Sequence, residues 1–300
     1  MSSKSALAKV LAKRLDVSLL PGDAPFAKGA LERAAEFMVT AAAEREAGKV
    51  TIAIESVAGA AGERFMRLAL INDDMPFLVD SIAATVAAHG LAIDRLLHPV
   101  VAVRRDAKGQ LSEIVEGDAA GEKRESMVYL ETQRGDARQR RALEQALAAT
   151  LADVRVAVAD WPKMQAAMAD DADRCSDGEG AALLRWFKDG MLTQLGHVLH
   201  HRDGSQEAAL GICRKSAKVL LGPISYERAF AWFDETGARE PLIVKSNLIS
   251  NVHRRTPLDL FILPRRESGR IVSLSVHAGI WTSASLAATP NQIPRIRSQF

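Results

Sequence analysis

Three hundred residues are long for one core, so two domains are expected. With 48% hydrophobic and 25% charged residues the chain has the composition of an ordinary soluble globular protein. Its 39 basic against 37 acidic residues leave neither a nucleic-acid footprint nor a funnel for acidic substrates.

Met1–Leu15 is basic and amphipathic and lacks the continuous apolar stretch of a signal peptide. No run in the chain approaches the roughly 18 apolar residues that span a bilayer, so a cytoplasmic location without a membrane partner is expected. Pro21-Gly22-Asp23 and Pro25 break any long N-terminal helix. A helix follows from Leu31 to Glu46, with Leu31, Ala35, Met38 and Ala42 on one stripe and Gly48 closing it. Val50, Ile52 and Ile54 predict a strand, and Phe65–Ile71 a central one, linked by 59–62. Asn72-Asp73-Asp74-Met75-Pro76 stops that strand. Asp74 is the expected N-cap of a helix carrying Leu78, Ile82, Val86 and His89, with Pro76 in its first turn. Ile93–Arg105 reads as one long strand, Asp106–Gly109 as a hairpin turn, Leu111–Glu116 as the return strand, 117–124 as a polar loop and Ser126–Thr132 as a further strand.

A long helix then places Leu143, Leu147, Leu151, Val154, Val158 and Trp161 on one seam, expected to lie on the first sheet, with Pro162 able to kink it. The stretch 174–180 is the expected domain boundary. Asp177 caps a short helix, after which β-rich sequence follows: Leu192–His201, Ala208–Arg214, Leu242–Lys245, Leu258–Pro264 and Ile271–Trp281, with a helix around Tyr226, Phe230 and Phe233. In the last strand Val272, Leu274, Val276 and Ala278 alternate with Ser273, Ser275 and His277, the pattern of a half-buried antiparallel strand. Both halves are therefore α+β with mainly antiparallel sheets, and the first follows the strand–helix–strand–strand–helix order of a ferredoxin-like plan. Cys175 and Cys213 match no metal or C-x-x-C spacing and read as reduced thiols.

The run Leu70-Ile71-Asn72-Asp73-Asp74-Met75-Pro76-Phe77-Leu78-Val79-Asp80-Ser81 resembles one from the N-terminal region of the large bacterial NAD-specific glutamate dehydrogenases. Leu97-His98-Pro99-Val100, Val103-Arg104-Arg105-Asp106, Asp153-Val154-Arg155 and Asp160-Trp161-Pro162 continue the resemblance in order. Leu184-Arg185-Trp186-Phe187, Lys245-Ser246-Asn247, Val252-His253-Arg254 and the run from Gly279 to Ala284 extend it into the second half. The resemblance implies a helical extension at 1–48, an ACT-like (ferredoxin-like) module at 49–174, a PAS-like module at 175–285, and at 286–300 the start of a linker to a downstream part. It implies a regulatory and assembly segment of an enzyme that oxidises glutamate to 2-oxoglutarate and ammonium with NAD. The nicotinamide site and catalytic residues would lie in a downstream core of the same polypeptide, in a homo-oligomer, and an amino acid is the implied effector.

Asn72, Asp73, Asp74, Met75, Pro76 and Phe77 form the candidate effector loop, against the plainer reading of a capped helix start. Many amino-acid-binding ACT domains carry glycine after this proline; here Phe77 is expected to fill the space. Lys245, Ser246, Asn247, His253 and Arg254 are candidate contacts for an anion or for an interface. His197, His200 and His201 have the types of metal ligands, but on a strand His200 faces away from the other two, and no metal is expected. No catalytic residue and no cofactor is expected in this chain: Gly178-x-Gly180 lacks a third glycine at Leu183, and neither a P-loop nor H-E-x-x-H occurs. A free-standing amino-acid sensor using the Asn72–Phe77 loop, and an unrelated metal enzyme using the histidines with Asp203, are the competing readings.

Overall fold

A computed structural model describes residues 3–59, 62, 64–116 and 121–299; the expected links at 59–62 and 117–124 lie partly outside them. The chain divides into two units, Met1–Leu151 and Ala152–Phe300. In the first, helices α1 (Ser3–Val17) and α2 (Ala30–Ala42) precede strands β1 (Thr51–Ala58) and β2 (Arg64–Asp73). Helix α3 (Leu78–Ala88) leads to β3 (Ile93–Leu97), β4 (Val100–Arg105), β5 (Leu111–Val115) and β6 (Lys123–Gln133), and then to α4 (Ala137–Arg174). The sheet order is β1-β2-β6-β4-β5, with β3 also on β6, and every pairing is antiparallel. Elements β2, α3, β3/β4, β6 and α4 thus follow the ferredoxin-like plan. The edge place beside β2 goes to β1, which precedes it in the chain.

The strand expected from Ile93 to Arg105 is interrupted at His98-Pro99. Proline has no N–H for the ladder. The Pro99 carbonyl instead accepts from Met127 N at 3.0 Å, and pairing with β6 resumes at Val100. The N-terminal helices are not a separate extension. Leu11, Leu15, Met38 and Val39 share one core with Ile71, Val101, Met127 and Tyr129. Side chains alternate along a strand, so Leu68, Leu70, Val128 and Leu130 face the other way, where α3 and the start of α4 bring Ile82, Val86, Leu143 and Leu147. Helix α2 stops at Ala42 rather than Glu46 because the next residues pair with the β4–β5 turn: Arg45 N donates to Gly109 O (3.1 Å) and Glu44 bridges Gln110. Gly109 sits at φ 81°, and a Cβ there would fall 2.4 Å from Arg45 O.

At that junction a carboxylate is fully buried. Glu125 receives Arg45 NH2 at 2.6 Å and both Nε and NH2 of Arg105 at 2.8 Å. Arg105 NH1 also reaches the carbonyls of Ala42 and Gly109, and Arg45 NH2 meets Asp73 at 2.7 Å. Burial alone raises a carboxyl pKa; here the two guanidiniums outweigh it and hold Glu125 below the usual range.

In the second unit, residues 152–174 of α4 are followed by α5 (Gly178–Trp186), β7 (Leu192–His201), β8 (Gln206–Gly211) and α6 (Pro223–Thr236). Strands β9 (Leu242–Ile249), β10 (Pro257–Glu267) and β11 (Arg270–Trp281) complete an antiparallel sheet ordered β8-β7-β11-β10-β9. Asp177 caps α5 as expected, accepting from Gly180 N at 2.6 Å. Three expectations change. The division falls inside α4, not at 174–180, because Met168 and Ala172 belong to the core of Leu184, Phe187 and Phe261. The apolar seam ends at Val154, and Trp161 is 52% exposed. From there the buried stripe passes through Ala157, Asp160, Met164, Met168 and Asp171. Strand β11 is buried on both faces, including Ser273, Ser275 and His277, since it lies mid-sheet with α4 residues over its polar side.

Glu125→Ala is expected to lower stability by about 3–5 kcal/mol, because two guanidiniums lose their shared counter-charge. Urea unfolding of the parent and variant checks this; a loss below about 1 kcal/mol would show that the cluster contributes little.

Candidate functional site

The Asn72–Phe77 loop joins the end of β2 to α3. Asn72 is buried, Asp73 is partly buried and ion-paired to Arg45 (2.7 Å) and Lys123 (3.3 Å), and Asp74 is exposed. Asp74 does not cap α3. The capping position belongs to Phe77, at φ 69° and ψ 3°, with no side-chain cap. The reason is geometric: the backbone of Asp74 is tied to β6, its N–H donating to Arg124 O at 3.3 Å, so the chain needs Met75 and Pro76 before it can turn into the helix. Phe77 therefore occupies the left-handed region, which glycine enters freely and a residue with a Cβ does not.

The loop brings in residues that the sequence reading did not assign to it. Asn72 and Val100 both lie opposite Ser126 in the sheet, and His98 Nε2 is 2.6 Å from Ser126 Oγ. Burial holds His98 below the ordinary histidine pKa, against the opposing pull of the Asp74 charge. Asp74, His98 and Ser126 together give this sheet end an exposed acceptor and two groups able to donate or accept, the chemistry that an amino or carboxylate group requires. Their sequence signal was the break at His98-Pro99, which puts a polar side chain at a strand end.

The second candidate set is dispersed. Lys245 pairs with Asp259, opposite it on β10 (2.7 Å), while buried Ser246 donates to Leu220 O (3.0 Å) and Asn247 is exposed. His253 takes φ 63°, and Arg254 NH2 donates to Trp281 O. Lys245 and Arg254 thus have acceptors within the unit.

The histidines divide as alternation requires. His200 stacks on Tyr226 (3.5 Å, 8°) and His201 meets Glu207 at 3.2 Å. His197 lies against His277, the two rings 4.7 Å apart, beside Asp171. Asp171, His197 and His277 could by spacing hold a metal ion, each offering one ligand atom within 4.8 Å of the others. Hydrogen bonds already engage one or more polar atoms of each, although His197 Nδ1 is buried without a hydrogen-bond partner. Asp171 pairs with Arg265 (2.7 Å) and accepts from Ser275 and from His277 Nε2 (2.7 Å). Since the Ser275 proton goes to Asp171, His197 must donate through Nε2 to Ser275 (3.0 Å). His277 Nδ1 accepts from Gln194 at 3.0 Å. Burial pushes His197 down to about 3, so it stays neutral; burial opposes ionisation of Asp171, but His277, Ser275 and Arg265 hold it below the usual carboxylate range. A metal would compete with Arg265 for the same carboxylate.

Asp171 is one of three buried aspartates on α4. Asp160 accepts from Gly211 N (2.9 Å) and Arg214 (2.8 Å), and Asp153 from Asn251 Nδ2 (2.7 Å). Burial opposes the ionisation of Asp160, and Gly211 and Arg214 outweigh it. The missed signal is spacing: positions 153, 160 and 171 lie seven and eleven residues apart, two and three helical turns, on the side that the sheet needs.

These features define a pair of α+β units, the first ferredoxin-like. Residues 31–147 match the family described as "Glutamate dehydrogenase, ACT1 domain". Over 258 residues the chain is 30% identical to the NAD-specific glutamate dehydrogenase of Pseudomonas aeruginosa, covering 77% of this chain, and over 266 residues 26% identical to that of Halomonas elongata, covering 78%. The chain belongs to the NAD-specific glutamate dehydrogenase family and corresponds to an N-terminal region of it. It spans 16% of the length of both relatives. Among solved structures, the sensor domain of the zinc-responsive histidine kinase CzcS from Pseudomonas aeruginosa aligns with 50% of this chain and 100% of that chain at 15% identity and a TM-score of 0.19, too low to carry an argument. Among the described residues no helix is long and apolar enough to cross a membrane.

Phe77→Gly is expected to be more stable than Phe77→Ala by about 1 kcal/mol, because only glycine relieves the left-handed strain while both remove the ring. Urea midpoints of the two variants decide it; an alanine variant equal to or more stable than the glycine one contradicts the strain.

Proposed function

We propose that the chain is a regulatory and assembly segment of an NAD-dependent glutamate dehydrogenase, with no hydride chemistry of its own. In the whole enzyme L-glutamate, NAD and water would become 2-oxoglutarate, ammonium and NADH. The nicotinamide would be held by a downstream core of the same polypeptide, in a cytoplasmic homo-oligomer. The observation that carries the reading is the ACT1 match at 31–147, which falls on the ferredoxin-like sheet and contains the whole Asn72–Phe77 loop.

The second unit is read as PAS-like. Counting within the unit, its strands lie in the order second, first, fifth, fourth, third, with α6 between the second and third, and this supports a PAS-type plan. The effector contacts are assigned to Asn72, Asp73, Asp74, Met75, Pro76 and Phe77, with His98 and Ser126 beside them. An amino acid whose ammonium group meets Asp74 would shift the arrangement of β2, α3 and the segments tied to Asp73, and so couple to a distant active site. Lys245, Ser246, Asn247, His253 and Arg254 are assigned to contacts with other parts of the enzyme rather than to an anion, since Lys245 and Arg254 already have acceptors.

The test is an assay of the purified chain for NADH formation from glutamate and NAD. No rate above the blank is expected. Turnover that co-purifies with the chain and rises with its concentration overturns the reading.

A further inference from the structure

Within the second unit a cavity of about 850 Å³ opens at the C-terminal end of α4, over β7, β11 and β10. Arg174, Arg239, Arg265 and Arg266 all line it, with Ser176 and Ser273. Two of the four guanidiniums are already matched. Arg174 and Arg265 both bind Asp170, and Arg265 also binds Asp171. The other two are not. Arg239 NH1 lies 3.5 Å from Ser176 Oγ, and Arg266 NH2 3.3 Å from Ala238 O; among the described residues neither guanidinium meets a carboxylate. Both side chains belong to exposed residues from different segments, the α6–β9 connection and β10. The acids on the wall do not cancel them as a set: Asp171 is taken by Arg265 and Glu207 by His201, which leaves Glu267.

The backbone is shaped at this place. Arg265 pairs with Ser273 and the next residue, Arg266, with Ile271, so Val272 is an extra residue in β11. A bulge of this kind bends the strand and re-aims its side chains, and both Val272 and Ser273 line the cavity. The volume lies in the range of small-molecule sites and far exceeds a bare phosphate ion. No phenyl, phenol or indole ring is on the wall, and His201, the one imidazole there, is engaged by Glu207. Two guanidiniums on separate segments, neither meeting a carboxylate among the described residues and each able to match one in its two-pronged geometry, suit a molecule with a carboxylate at either end.

We propose that this cavity binds a small dicarboxylate, held by Arg239 and Arg266 as charge partners and by the hydroxyls of Ser176 and Ser273. The site lies in the second unit and does not depend on the effector loop of the first. The test is calorimetric titration of succinate into the full chain at constant ionic strength, with inorganic phosphate and the neutral diamide succinamide as parallel arms. Saturable succinate binding is expected, with much weaker phosphate binding and none for succinamide. Arg239→Gln and Arg266→Gln should each weaken succinate about tenfold, the loss of one charge-assisted pair, with an unchanged melting temperature. A second measurement uses the parent chain alone: succinate should slow phenylglyoxal modification at Arg239 and Arg266, located by peptide mass. Absence of saturable succinate binding, equal binding of phosphate or succinamide, undiminished binding by both variants, or protection at neither arginine overturns the proposal.

Discussion

A helix that buries three carboxylates on one side has to find three sets of donors there. Removing a carboxylate from water costs several kcal/mol unless charge and hydrogen bonds replace the hydration. Asp153, Asp160 and Asp171 on α4 meet that condition at three places in the second unit. Asp153 takes Asn251, Asp160 takes Gly211 and Arg214, and Asp171 takes Arg265, Ser275 and His277. The bonds are directional, so they fix the end of β8, the β9–β10 connection and the middle strands against the helix. A purely apolar helix face lacks such directional ties; here each of the three aspartates ties the helix to a different segment.

Among the described residues of the first unit, Glu125 is the one buried acid. Glu125 draws Arg45 and Arg105 together, and Arg105 in turn holds the end of α2 and the β4–β5 turn through backbone carbonyls. Arg45 also reaches Asp73, the residue before the turn into α3. The candidate effector loop is therefore anchored on one side by a rigid charge cluster and strained on the other at Phe77, an arrangement with few soft degrees of freedom. Its membership in the ACT1 family and its place among the glutamate dehydrogenases give that loop its context.

Much of the fold was legible in the sequence where the signal is local. The stripe Leu78, Ile82, Val86 marked α3, the apolar run Phe65–Ile71 marked a central strand, and the Asp106–Gly109 turn marked the β4–β5 hairpin. What was not legible depended on contacts distant in sequence. Asp74 has the chemistry of a cap, but its N–H is held by Arg124, fifty residues on, and the helix starts at Leu78 instead. Ser273, Ser275 and His277 look like a solvent face until Asp171 is placed over them. Trp161 sits on a correct helical period, yet the buried side of α4 turns away from it once the aspartates take over. Of the candidate site, the loop itself was visible; His98 and Ser126 were not, since only the sheet register brings them to Asn72.

The account rests most heavily on Asp171. Its folded pKa lies below the ordinary carboxylate value, so its contribution is complete above that value and is lost as pH falls through the folded one. The direct measurement is denaturant unfolding of the chain and of Asp171→Asn from neutral to acid pH. The second unit of the variant is predicted to be less stable at neutral pH by about 3–5 kcal/mol, because Arg265 and His277 lose their anion, and to lose less further stability on acidification than the parent. Superimposable stability-against-pH curves for parent and variant would contradict the account.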